Sequence, residues 1–171
     1  MSKAKLTWAI CLLIVFLGIS GCQSSPPKNS PAPTETTKKE ASQAKTSFSK
    51  ILGEYNTLSD TFQSYLGDMT SGDVDLELYK SNLAKLHNQA TDLLNKTKSL
   101  ETAPQYQEAK EMLVTTVTLL DQSVNEVLKY FESKQKNQLS LAQEEFKQAK
   151  RAAYLAQTTL DKQAANDGYK E

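Results

Sequence analysis

Residues 73–100 read DVDLELYKSNLAKLHNQATDLLNKTKSL, and the spacing of their apolar members decides the fold. Leu76, Tyr79, Leu83, Leu86, Ala90, Leu93, Thr97 and Leu100 follow at intervals of 3-4-3-4-3-4-3. Such steps hold side chains on one face of a helix with 3.6 residues per turn, whereas a half-buried strand alternates by two. Thr97 is the one polar member of the stripe. Asp73 stands where a carboxylate accepts the free amides of a first turn, so it is the expected N-cap.

The same rhythm appears on both sides. Upstream, Phe48, Ile51, Leu52, Tyr55, Leu58, Phe62, Tyr65 and Leu66 step by threes and fours from about residue 46. Gly67 and Gly72 are expected to end that helix, leaving Met69 in a loop. Downstream, Thr102-Ala103-Pro104-Gln105 has the form of a capping box, with Pro104 tolerated in the first turn. A third helix follows to about residue 133, striped by Tyr106, Ala109, Met112, Leu113, Val117, Leu120, Val124, Val127, Leu128 and Phe131. A fourth carries Leu139, Ala142, Phe146, Ala149, Ala153, Ala156 and Leu160. Between the last two, residues 132–138 skip a turn of the stripe without Gly or Pro, which predicts a turn near 134–138; one continuous helix is the alternative. Four striped helices joined by short loops predict an all-α, antiparallel up-down-up-down four-helix bundle over residues 46–165. Residues 166–171 are expected to fray.

Residues 1–45 have a different character. Lys3 and Lys5 precede an almost wholly apolar run from Leu6 to Ile19, followed by Ser20 and Gly21. This is the secretory signal pattern, and about 14 apolar residues fall short of the roughly 20 that span a bilayer. The exit, Leu17-Gly18-Ile19-Ser20-Gly21-Cys22, resembles the lipobox of bacterial lipoproteins. The resemblance implies removal of residues 1–21 and diacylglycerol on the thiol of Cys22, the expected lipidation site. Two acyl chains would then hold the protein durably on the extracytoplasmic face of the cell membrane. Residues 22–45 hold four of the five prolines, Pro26, Pro27, Pro31 and Pro33, and no large apolar side chain. Such a segment cannot bury enough surface to offset its ordering entropy, so a disordered tether is expected, biased to extended polyproline II at about 3.1 Å per residue.

Charge and composition restrict the chemistry. Among 171 residues, 20 Lys and Arg balance 20 Asp and Glu; loss of Lys3 and Lys5 with the leader leaves a net charge of −2. No basic excess suggests nucleic acid as a partner. Cys11 leaves with the leader and Cys22 takes the lipid, so no disulfide or thiolate site is expected. Di-metal bundles use paired Glu-x-x-His motifs, but the single histidine, His87, has Ala84 three residues before it; neither metal nor cofactor is expected. No Gly-x-Ser-x-Gly turn supports a serine nucleophile, and the carboxylates stand mostly outside the stripes as a solvated face. A catalytic set is therefore not expected.

What remains is surface. Lys147, Lys150 and Arg151, with Lys162, make the fourth helix locally basic, suited to anionic lipid or wall polymer. Tyr65, Tyr79, Tyr106, Tyr130 and Tyr154 lie at or near stripe edges, where a ring packs and its hydroxyl stays wet. The expectation is a non-enzymatic, membrane-anchored binding or scaffolding module of the cell envelope, holding an envelope protein or wall polymer. The alternative is a small-ligand carrier or sensor, with the alanine row of the fourth helix lining a cavity in the core.

Overall fold

Thr34 sets where the structured chain begins. Its hydroxyl accepts the amide of Thr37 at 3.3 Å, and its carbonyl accepts the amide of Lys38 at 3.1 Å. A side-chain oxygen in that position satisfies a donor left free by the first helical turn. In the computed structural model of the chain, residues 33–71 and 76–169 are described. The signal segment, Cys22, the tether up to residue 32, Gly72 and the Asp73 cap lie outside them.

The described residues are all-helical, with α1 over Glu35–Ser71, α2 over Leu76–Lys98, α3 over Gln107–Ser133 and α4 over Lys136–Asn166. Among them no strand occurs, and no helix is long and apolar enough to cross a membrane. A single 3-10 turn, Pro104–Tyr106, leads into α3.

Four boundaries differ from the sequence reading. First, helix begins at Glu35, so residues 35–45 are not disordered tether. Ala41 and Ala44 are buried there, and small side chains give close packing without the bulky stripe that marks a helix in sequence. Second, α1 runs through Gly67 to Ser71, and Met69 packs partly buried against the core from within it. Third, Thr102 and Gln105 form no capping box: the cap position is Ala103, the hydroxyl of Thr102 is buried without a hydrogen-bond partner among the described residues, and Gln105 Nε2 donates across to Glu40 Oε2 at 2.9 Å. The Pro104 turn occupies the place of the helical first turn on which a capping box depends. Fourth, residues 166–169 do not fray. The amide of Tyr169 donates to the carbonyl of Ala164, and its ring packs against the core.

The turn before α4 lies where the missing stripe places it, compressed to two residues. Lys134 adopts the left-handed region at φ 57°, donating its amide to the carbonyl of Tyr130 at 2.8 Å, and Gln135 is extended. All four helices contribute to one core. Phe48, Tyr55 and Phe62 enter from α1; Leu83, Leu86 and Leu93 from α2; Leu113, Val117, Leu120 and Val124 from α3; Phe146 and Leu160 from α4. Burial of each such side chain stabilises the fold by about 1.5–3 kcal/mol before ordering entropy is counted.

Named contacts tie the helices in pairs. Phe62 meets Phe146 edge-on with centroids 5.1 Å apart, and Lys45 pairs with Asp161 at 2.5 Å. Lys96 pairs with Glu54 at 2.7 Å, and Tyr65 packs on Tyr79. Thr91 donates to Asp121 at 2.9 Å. The most extensive contact joins α3 and α4. There Ser123 Oγ donates to the carbonyl of Ala142 at 2.5 Å, and Ala142, Ala149 and Ala156 have no exposed surface.

Candidate functional site

The inward register of α4 fixes what its other side carries. Ala142, Phe146, Ala149, Ala156 and Leu160 are buried, so helical geometry turns Gln143, Lys147, Lys150, Arg151, Tyr154 and Leu155 toward the opposite side. Along this side runs an open depression lined, among the described residues, by those six and the edge of Phe146. Tyr154 is 72% exposed and Leu155 is 51% exposed, unusually high for an aromatic and a leucine standing together. Lys150 is held in place: its Nζ donates to Gln63 Oε1 on α1 and sits 4.8 Å from the centre of the Phe146 ring. Lys147 and Arg151 are exposed. Two acids share this region. Glu144 accepts from Gln148 at 3.1 Å, and Asp161 is taken up by Lys45 and Gln157. Burial works to raise the Asp161 carboxyl, but the hydrogen bonds from Lys45 and Gln157 and the Lys45 charge outweigh it and hold the group below the ordinary value.

The five tyrosines do not share one groove. Tyr154 alone joins Lys147, Lys150 and Arg151. Tyr65 and Tyr79 pair with each other at 5.3 Å, and the Tyr79 hydroxyl donates to Asp68 at 2.5 Å. Lost solvation and that hydrogen bond push the Tyr79 phenol up to about 12. Tyr106 has no exposed surface, so it offers nothing to a partner; its hydroxyl donates to Asp167 Oδ2 at 2.6 Å, and burial together with that acid raises its phenol. Tyr130 is half-buried beside Phe131, with the Lys134 ammonium 6.0 Å from its ring centre. A place at a stripe edge did not unite these rings, because apart from the Tyr65–Tyr79 pair they belong to separate parts of the structure: Tyr106 in the turn before α3, Tyr130 on α3 and Tyr154 on α4.

One group was missed in the sequence. Glu126 is 8% exposed on α3, where Lys129 Nζ donates to its Oε1 at 2.5 Å. Across on α4, Oε2 of Glu145 is buried with no hydrogen-bond partner among the described residues. Burial raises the Glu145 carboxyl, the Glu126 charge raises it further, and Lys129 offsets part of the effect. The signal was available: Glu126 is bracketed by the stripe residues Val124 and Val127. The fold therefore favours the protonated form of Glu145 more than water does, while Lys129 is taken up by Glu126.

His87 lies on the flank, its side chain 31% exposed, with Nδ1 3.0 Å from Asp121 Oδ1. Among the described residues no group of three or more His, Cys, Asp or Glu stands close enough to hold a metal ion. No protein-family model matches the sequence, no curated protein is significantly similar to it, and no solved structure matches its fold.

Proposed function

We propose that this chain is a lipid-anchored, extracytoplasmic four-helix bundle of the bacterial envelope, and that it binds without catalysing. The observation that carries the reading is the run Leu17-Gly18-Ile19-Ser20-Gly21-Cys22 at the end of an apolar segment, with its resemblance to a lipobox. Cleavage before Cys22 and acylation of its thiol leave a short tether and a helical domain at the membrane. Membrane contact comes through the Cys22 lipid; the partner held by the helices is an envelope protein or wall polymer, and nucleic acid has no place in this scheme.

The up-down-up-down topology is supported by the order of the cross-helix contacts. Moving up α1 from Lys45 to Phe62, the partner on α4 moves down from Asp161 to Phe146. On α1 and α2, Glu54 meets Lys96 while Tyr65 meets Tyr79. On α3 and α4, Met112 meets Thr159 and Ser123 meets Ala142. Numbering that rises along one helix and falls along its neighbour is the mark of antiparallel packing.

The carrier alternative asks the alanine row of α4 to line a void. Ala142, Ala149 and Ala156 instead have no exposed surface, and the carbonyl of Ala142 accepts from Ser123 on α3, which supports a packed interior. Fatty-acid labelling of the expressing cell tests the anchor: the wild type should take up label and Cys22→Ala should not. Equal labelling of both would reject it. Crosslinking in cells should then recover a defined envelope partner above background.

A further inference from the structure

The exposed side of α4 gathers cations in a domain that is acidic overall. Lys147, Lys150, Arg151 and Lys162 stand against Glu144 and an Asp161 already engaged by Lys45. Between the cations lie Tyr154 and Leu155, an exposed phenol and an exposed aliphatic side chain. Cations beside an aromatic ring and an apolar side chain suit the headgroup layer of an anionic bilayer, where charge is attracted to lipid phosphate and the apolar groups insert shallowly.

The chain's own connectivity brings that surface to the membrane. Pro33 packs at the end of α4: a Cβ on Gly168 would stand 2.9 Å from Pro33 Cγ. The tether therefore leaves the domain beside the C-terminal end of α4. From Cys22 to Pro33 an extended chain spans about 35 Å. Tyr154 lies twelve residues from Asn166, about 18 Å along the helix at 1.5 Å per residue. The reach of the tether exceeds the distance that must be covered.

We infer that the domain lies on its side, with the outer face of α4 docked on the anionic phospholipid surface of the membrane that holds the Cys22 lipid. The inference rests on the anchor proposed above. It turns α2, whose contacts are with α1 and α3, away from the bilayer and makes that side the one presented to an envelope partner.

Trp8 is the sole tryptophan and leaves with the leader, so Tyr154→Trp makes a single reporter in the mature lipidated chain. The purified lipidated protein is inserted into phosphatidylcholine vesicles with or without phosphatidylglycerol, some carrying brominated acyl chains. Flotation reports the anchor; bromine quenching of the reporter reports docking. Expected is flotation with both vesicles, quenching only where phosphatidylglycerol is present, reversal by high salt, and several-fold weaker quenching after Lys147→Gln with Arg151→Gln. Flotation with equal, weak quenching in both vesicles overturns the docking alone. A reporter that responds only to an isolated anionic wall polymer overturns it in favour of that occupant. Failure to float overturns the anchor and the docking together.

Discussion

Tyr106 illustrates how a side chain legible as a stripe residue acquires a second task in the folded chain. Its ring is fully buried while its hydroxyl holds Asp167 near the end of α4. Tyr106→Phe keeps the ring and removes one of the donors to Asp167, leaving Gln163 at 3.4 Å, which should cost about 1 kcal/mol in denaturant unfolding. Glu145 sets the opposite case, a carboxyl whose charge the fold disfavours. Its folded pKa is raised, so the folded state holds the proton more tightly than the unfolded chain. The stability this gives is complete below the unfolded value of 4.5 and is lost as pH rises above it. Glu145→Gln should therefore raise the Tm at neutral pH by roughly 1–3 °C, with the gain shrinking toward zero at acidic pH in paired thermal melts. Neither partner of either pair could be named from spacing, because periodicity assigns a residue to a face and leaves its partner on another helix unassigned.

At the scale of elements, the stripes of bulky residues in α2 and α3 located those helices closely, since 3-4 spacing over many turns has few other causes. The beginning of α1 escaped notice because its inward positions there are Ala41 and Ala44, which read as neutral in a Pro-, Thr- and Lys-rich stretch. Thr34 followed by Glu35 was the available signal, a capping hydroxyl with an acid in the first turn. Gly67 does not break α1, since a lone glycine within a packed helix costs only about 1 kcal/mol. Gly168 is the glycine whose conformation matters: its φ is +79°, and an added Cβ would press on Pro33. Gly168→Ala should cost about 1–2 kcal/mol and speed amide exchange in the first turns of α1, read by hydrogen-exchange mass spectrometry. Unchanged exchange over residues 35–45 would show that the end of α4 does not brace that segment.

At the level of the molecule, the described helices join a largely apolar interior to a basic flank of α4 that also exposes Tyr154 and Leu155. Four of the eight residues proposed from sequence as a partner surface, Lys147, Lys150, Arg151 and Tyr154, stand together on that flank, because they fall within two turns of one helix. The other four tyrosines are distributed over α1, α2, α3 and its leading turn, a dispersion that only three-dimensional packing reveals. An interior filled mainly by Phe, Leu, Val and Ala, combined with the lipid anchor proposed at Cys22, leads to the proposal that the protein works through its surface. Native mass spectrometry of the chain extracted from its own membrane tests this most directly. The account predicts a polypeptide that starts at Cys22, carries the mass of a diacylglycerol-modified thiol, and retains no further small molecule. A chain with an unmodified Cys22, or one holding a stoichiometric ligand, would contradict it.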